Sequence, residues 1–283
     1  MSEAARLSAE GDRYAELGVL ADAARAFDRA AELYLDEGRR EEAFHMLVKL
    51  ASIDARAGQW QDARDAIERA LDLPSWPEER IAALMLQGSI YDALGEERAI
   101  VVWTNAATHT SDDELKLVCT AHLAGSLLRR GDVGAIQHVA TTLEQAGEIT
   151  PRQRVTILGA AGESAGRNGT SLLAQAVLLV MRHPEAWTDT NAAYWDLLVD
   201  RAEPQLATDL CGLGSLLTRG QKSERDHGRL VARVGATIER VARTRGISLD
   251  DLLSEIARDP SEDRLAAALR ALVPDDEWVI ERG

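Results

Sequence analysis

Five glycines recur at nearly constant spacing in the first part of the chain, and this spacing constrains the fold more than any other feature. The intervals are 40, 37, 36 and 35 residues, and each glycine ends a stretch with helical spacing of its apolar residues; the glycines are Gly18, Gly58, Gly95, Gly131 and Gly166. Glycine after a helix adopts the left-handed conformation that closes the last turn. Regular spacing of this length is typical of repeated helix-turn-helix units, so the sequence predicts stacked helical hairpins.

The residues around each glycine repeat as well. Gly11 with Tyr14, and Gly88 with Tyr91, lie seven and four positions before their turn glycine. After the turn, a small, a large and a small side chain follow at steps of four and three, on one face of a helix. The sets are Ala23, Phe27 and Ala30; Ala63, Ile67 and Ala70; Ala99, Trp103 and Ala106; the weaker Ala135, Val139 and Thr142; and, without a turn glycine, Ala207, Cys211 and Gly214.

This pattern resembles the tetratricopeptide repeat (TPR) family, whose helical hairpin carries Gly or Ala, Tyr, Gly, Ala, Phe and Ala at these steps. The resemblance is good over residues 4–110, although most units lack the family's terminal proline. It implies an all-α fold: an α-solenoid of five or six antiparallel helix pairs (a TPR-like superhelix) over residues 1–221, then a C-terminal helical cap with an acidic tail over residues 222–283. The core should contain Tyr14, Phe27, Ile67, Tyr91 and Trp103.

Composition agrees with a helical protein. Only 4% of the residues are aromatic although 46% are apolar, so small and aliphatic side chains must fill the core, which suits close packing of helices. No run of alternating β-branched residues predicts a strand. The tail, residues 274–283, is acidic and carries Trp278, Val279 and Ile280. It either docks on the body of the protein or serves as a short recognition peptide.

The net charge and the short apolar runs limit which partners the chain can bind and where in the cell it is expected. The net charge of −15 repels phosphate backbones, and no basic stripe offsets it, so we expect no nucleic-acid binding. No apolar run approaches the roughly 20 residues that span a bilayer, and residues 1–10 do not resemble a signal peptide. Cys119 and Cys211 have no framework spacing and are expected to be buried thiols. We therefore expect a cytoplasmic protein that does not bind membranes.

The sequence carries no motif for catalysis. The six histidines form no zinc-protease motif, and two distant cysteines cannot make a structural zinc site. There is no G-x-S-x-G nucleophile motif, and the glycine-rich stretch at 159–171 lacks the Gly-Lys-Ser/Thr core of a phosphate loop. A spatial pairing of His122 with Asp92 stays possible. We expect no catalytic residue, no metal ion and no cofactor.

The resemblance implies binding along a concave groove lined by the first helix of each hairpin. Alignment on the turn glycines predicts the groove residues Asp12, His45, Lys49, Ser52, Arg56, Met85, Ser89, Asp92, His122, Gly125 and Arg129. Lys49, Arg56 and Arg129 are the basic residues of this set, and it has no Asn, unlike family members that clamp a C-terminal carboxylate. We expect this groove to bind a helix or an extended segment of another protein, and its three basic residues would attract an acidic one.

The function predicted from these features is that of a non-catalytic protein–protein interaction scaffold or adaptor. One alternative is a sensor or regulatory subunit that controls a partner enzyme in a signalling or defence system. A helical enzyme of unrecognised type is the third. The sequence gives neither the identity of the partner nor the oligomeric state.

Overall fold

The computed structural model describes residues 2–132, 134–145, 149–221, 224–257 and 262–279. Over these ranges the chain forms fifteen α-helices and no β-strand, which confirms the all-α prediction. Backbone contacts divide the chain into two compact units, residues 1–119 and 120–283. The helices predicted as a C-terminal cap, from residue 222 onward, belong to the second unit and pack on the helices directly before them.

The first unit is built from three helical hairpins. Each helix contacts the next along the chain, and the third also contacts the fifth. The unit ends within α7 (Asp113–Arg129). The six helices before it are α1 (Glu3–Glu16), α2 (Leu20–Asp36), α3 (Arg40–Arg56), α4 (Trp60–Leu71), α5 (Pro77–Leu94) and α6 (Arg98–His109).

The predicted turn glycines close their helices as expected. All five have positive φ, between 59° and 86°. After α1, the Gly18 N–H donates to the Ala15 carbonyl at 3.2 Å and the Val19 N–H to the Tyr14 carbonyl at 2.9 Å, the pair of bonds that defines a Schellman motif. Gly38 makes the same turn after α2, outside the predicted series, because it joins one hairpin to the next rather than two helices of one hairpin.

The small-large-small face forms the core of the first unit. The alanines of its three sets are at most 1% exposed, and Phe27, Ile67 and Trp103 are equally buried. Glycine on the facing helix makes room for the rings: a Cβ on Gly11 would lie 2.6 Å from Phe27, and one on Gly88 would lie 2.5 Å from Trp103.

Tyr91 is also buried as predicted, but Tyr14 is partly exposed. The Tyr91 hydroxyl donates at 2.7 Å to Glu68, which belongs to the preceding hairpin. Tyr14 lies in the first hairpin, and within the described residues its hydroxyl donates to Glu10 of the same helix, at 3.3 Å.

The second unit contains the remaining helices, packed mostly against their sequence neighbours. Contacts also link α9 with α11, and α11 with α13. Pro151 and Pro204 stand at the first residue of α9 and α12, where the missing N–H costs no helical bond. The helices are α8 (Ala135–Gln145), α9 (Pro151–Ser164), α10 (Thr170–Arg182), α11 (Asp189–Arg201), α12 (Pro204–Arg219), α13 (Glu224–Arg245), α14 (Leu249–Ile256) and α15 (Glu262–Arg270).

The glycine-rich stretch at 159–171 is a hairpin connection. Gly159 and Gly162 lie inside α9, where a Cβ would clash with Tyr194 at 2.0 Å and with Leu173 at 2.8 Å. Gly166–Gly169 forms a short 3-10 turn into α10. These glycines permit close helix packing, which explains their number without a phosphate ligand. Cys119 and Cys211 are both buried, as the sequence predicted.

Candidate partner-binding face

Seven of the predicted groove residues lie on the first helices of the three hairpins in the first unit. Arg56 is exposed, and the other six are partly exposed. We call this set the first-helix face; its members are Asp12 on α1, His45, Lys49, Ser52 and Arg56 on α3, and Met85 and Ser89 on α5.

Two polar contacts join neighbouring helices across this face. The Lys49 Nζ lies 2.7 and 2.9 Å from the two carboxylate oxygens of Asp12, 37 residues earlier in the chain. One turn earlier on α3, His45 Nε2 lies 3.5 Å from Glu79 Oε1 on α5. Side chains of α1, α3 and α5 therefore meet on one continuous surface of the first unit.

The charges on the face differ from the prediction, which counted Lys49, Arg56 and Arg129 as available cations. Lys49 is paired with Asp12, and its ammonium group lies 5.3 Å from the centre of the Phe27 ring. Arg129, in the second unit, donates from Nε to the Ser164 carbonyl at 2.6 Å. Arg56 makes no salt bridge within the part of the chain that the structure describes.

The Lys49–Asp12 pair is weak and exchangeable. The two side chains are 40% and 49% exposed, so water screens their attraction. Exposed ion pairs of this kind contribute about 0–1 kcal/mol to stability. A carboxylate of a binding partner could therefore replace Asp12 beside Lys49 at little cost.

The assignment of Asp92 to the groove is wrong. Its carboxylate is buried, and Oδ2 accepts a hydrogen bond of 2.8 Å from the Trp103 indole N–H. This bond satisfies the polar group of a ring that is otherwise enclosed by the core. Asp92 is thus a core residue that fixes Trp103 in the third hairpin.

His122 and Gly125 are also wrongly assigned, because the second unit buries both. His122 Nδ1 lies 2.8 Å from Ser164 Oγ, and a Cβ on Gly125 would lie 2.2 Å from the Ala161 carbonyl oxygen. Together with Arg129, these residues hold α7 against α9.

The contact between Ser164 and His122 brings a hydroxyl to an imidazole, as in many nucleophilic sites. Here the serine is 2% and the histidine 6% exposed, so a substrate has no access to either. Burial lowers the pKa of His122 to about 3, and the imidazole is neutral at physiological pH. The pair is a buried hydrogen bond that supports packing.

One exposed residue beside the first-helix face escaped the sequence analysis. Trp76 is 62% exposed at the start of α5, and its backbone N–H donates at 3.3 Å to Oε2 of Glu79, whose other oxygen faces His45. The sequence signal for this exposed residue is a tryptophan that stands between Pro74 and Pro77, outside any stretch with helical periodicity. Exposed tryptophans are common anchors of protein interfaces.

Two features are absent from the described residues. They contain no group of three or more His, Cys, Asp or Glu side chains that could hold a metal ion. In those same ranges, no helix combines the length and the apolar character needed to cross a membrane.

Comparison with known proteins leaves the interpretation to the geometry of the chain itself. No protein-family model matches the sequence, and no curated protein matches it significantly.

Proposed function

We propose that the chain is a non-catalytic, cytoplasmic interaction protein of the TPR-like solenoid type, which binds a segment of a partner protein on its first-helix face. The observation that carries the proposal is the pair of contacts, Lys49 with Asp12 and His45 with Glu79, that joins the first helices of successive hairpins. A surface shared by three first helices is what a solenoid uses to bind an extended partner. The stepwise packing of α1 to α6 supports the same interpretation.

The chemistry of the face favours an acidic segment with an apolar anchor. Arg56 is exposed, and Lys49 can exchange Asp12 for a carboxylate of the partner. Met85 and Trp76 supply adaptable and aromatic apolar surface beside these charges. In a protein with a net charge of −15, these cations would have to supply the local attraction for an acidic partner.

The test begins with affinity capture from the native host and continues with binding kinetics against the captured partner. Arg56→Glu should slow association and reduce its dependence on salt, because it removes a steering charge. Met85→Asp should chiefly accelerate dissociation, because it places a carboxylate in an apolar contact. Trp76→Ala should weaken binding without loss of stability, since the side chain is 62% exposed.

A control is Arg25→Glu, a charge reversal at another exposed arginine, on α2 rather than on a first helix. Circular dichroism checks that every variant is folded. If Arg56→Glu and Met85→Asp both bind as the wild type does, the first-helix face is not the binding site. A chaperone or secretion component as partner indicates an adaptor, whereas a nucleotide hydrolase, protease or toxin indicates a regulatory subunit.

A further inference from the structure

The C-terminal segment docks on α10 within the second unit through an unusual polar contact. The side chain of Gln175 is completely buried on a helix that is otherwise rich in Leu, Ala and Val. Its Nε2 donates to the Glu277 carbonyl at 2.9 Å, and its Oε1 accepts from the Val279 N–H at 2.8 Å. The Gln175 amide thus binds the backbone of Glu277 and of Val279, the residues directly before and after Trp278.

This arrangement recognises an extended backbone rather than a particular side chain. Trp278 has extended dihedral angles, so the Glu277 carbonyl and the Val279 N–H both face the Gln175 amide. A carboxamide offers one donor group and one acceptor, which match these two backbone groups as a neighbouring strand would. Any segment that is extended at this point can make the same two bonds.

Two side-chain contacts add selectivity. The Ser171 hydroxyl, one turn before Gln175, donates to the carboxylate of Glu277. Val279 is 5% exposed, whereas Trp278 between them stays partly exposed. The segment is therefore held by one carboxylate, two backbone groups and one aliphatic side chain, which is the chemistry of a short linear motif. Ile280 lies outside the described residues.

We propose that the surface of α10 around Ser171 and Gln175 is a peptide-binding site and that residues 277–279 are its resident ligand. The competing ligand is an extended partner segment with an acidic residue followed two positions later by an aliphatic one. Such a segment would enter by displacing the tail, so the free protein holds this site closed. The proposal uses none of the residues of the first-helix face and stands independently of the function proposed there.

The test measures fluorescence anisotropy of a labelled peptide with the sequence of residues 274–283, added to the full-length protein. Wild-type protein should bind it weakly, because its own tail occupies the site. Val279→Asp should release the tail and bind the peptide at least tenfold more tightly than the wild type does. Adding Gln175→Leu to this variant should abolish the gain, since leucine keeps the size but offers no hydrogen bond.

Two controls separate the site from general effects on folding. Asp275→Ala changes an exposed tail residue outside these contacts and should behave as the wild type. Peptide carrying the Val279→Asp change should not bind any variant. Circular dichroism and thermal unfolding establish that each protein is folded.

Glu277→Lys provides a second release variant, because it removes only the contact with Ser171. If either release variant folds and fails to gain affinity for the peptide, or if Gln175→Leu leaves the gain intact, the proposal is wrong. If both release variants unfold, the tail is an integral part of the core, and the proposal is equally wrong.

Discussion

Asp54 is a buried carboxyl group at a position where the first and third hairpins carry tyrosine. It lies four residues before the turn glycine Gly58, as Tyr14 and Tyr91 do before theirs. Asp54 is 5% exposed, and burial, followed by the nearby charges of Asp62 and Asp28, raises its pKa to about 6. Because the folded state holds this proton more tightly than the unfolded chain does, the ionised form is destabilising.

We expect Asp54→Asn to stabilise the protein at neutral pH and to have little effect at pH 4. In the wild type, the protonated carboxyl contributes fully below about pH 4, and its contribution is lost as the pH rises through about 6. The gain at pH 7 should be on the order of 1–3 kcal/mol. Urea unfolding at both pH values measures it, with the exposed Asp36→Asn as control. An Asp54→Asn variant less stable than the wild type at pH 7 would contradict this account.

At the scale of the element, glycines have two different structural roles in the hairpins. Gly58 allows the left-handed turn after α3, with φ of +75°, and apart from its chain neighbours no described residue lies within 4 Å of an added Cβ. Gly88 lies inside α5 and allows the Trp103 ring to approach the helix backbone. The first role concerns backbone conformation, and the second concerns space.

Substitution of the turn glycine isolates the conformational role. Gly58→Ala should lower the free energy of unfolding by about 1–2 kcal/mol through backbone strain alone. Gly58→Asn should cost less, because asparagine tolerates the left-handed region. Chemical denaturation of both variants tests the order. If alanine is tolerated as well as asparagine, the turn does not depend on positive φ.

Substitution of the packing glycine isolates the steric role. Gly88→Ala should destabilise the protein by about 1–3 kcal/mol, because the new Cβ would lie 2.5 Å from the Trp103 ring. The matched control is Gly235→Ala in α13, where the new Cβ would meet no other side chain or helix of the described residues within 4 Å. That change should stabilise by up to about 1 kcal/mol through helix propensity. Equal effects of the two substitutions on the urea midpoint would refute the packing role of Gly88.

At the scale of the whole molecule, the two units carry buried groups with opposite responses to acid. Asp54 in the first unit has a raised pKa, whereas His122 in the second has a pKa lowered to about 3. The unfolded chain takes up a proton on this histidine near pH 6.5, but the folded chain does not. The stability contributed by neutral His122 is therefore present above pH 6.5 and is lost as the pH falls toward 3.

We expect His122→Asn to reduce the pH dependence of stability in the second unit and to leave that of the first unit unchanged. Lowering the pH from 7 to 5 should reduce the free energy of unfolding of that unit by about 2 kcal/mol in the wild type, because the unfolded chain binds a proton at His122. The variant should not show this reduction. Native-state hydrogen exchange on the full chain, corrected for intrinsic rates, follows α9–α12 and α2–α6 separately. A wild-type pH dependence that persists unchanged in the α9–α12 segments of the variant would show that His122 does not cause it.

The candidate site shows where alignment on the turn glycines succeeds and where it fails. Asp92 lies three residues before Gly95, whereas the exposed Arg56 lies two residues before Gly58. One step along a helix turns the side chain by about 100°, so the Asp92 side chain lies in the core and not on the first-helix face. His122 and Lys49 both lie nine residues before their turn glycine, yet only His122 is buried. The difference arises from Ser164 on α9, which no local pattern could reveal.

The sequence alone determined the helices, their glycine turns and the buried small-large-small face, because positive φ and helical periodicity are properties of a few neighbouring residues. Tertiary structure decided which polar groups meet across long separations in sequence. It pairs Lys49 with Asp12 and seats the backbone of residues 277–279 on Gln175, more than 100 positions earlier. These contacts depend on how the helices pack and on which distant segments of the chain come together. They contribute to stability only once both partners are in place.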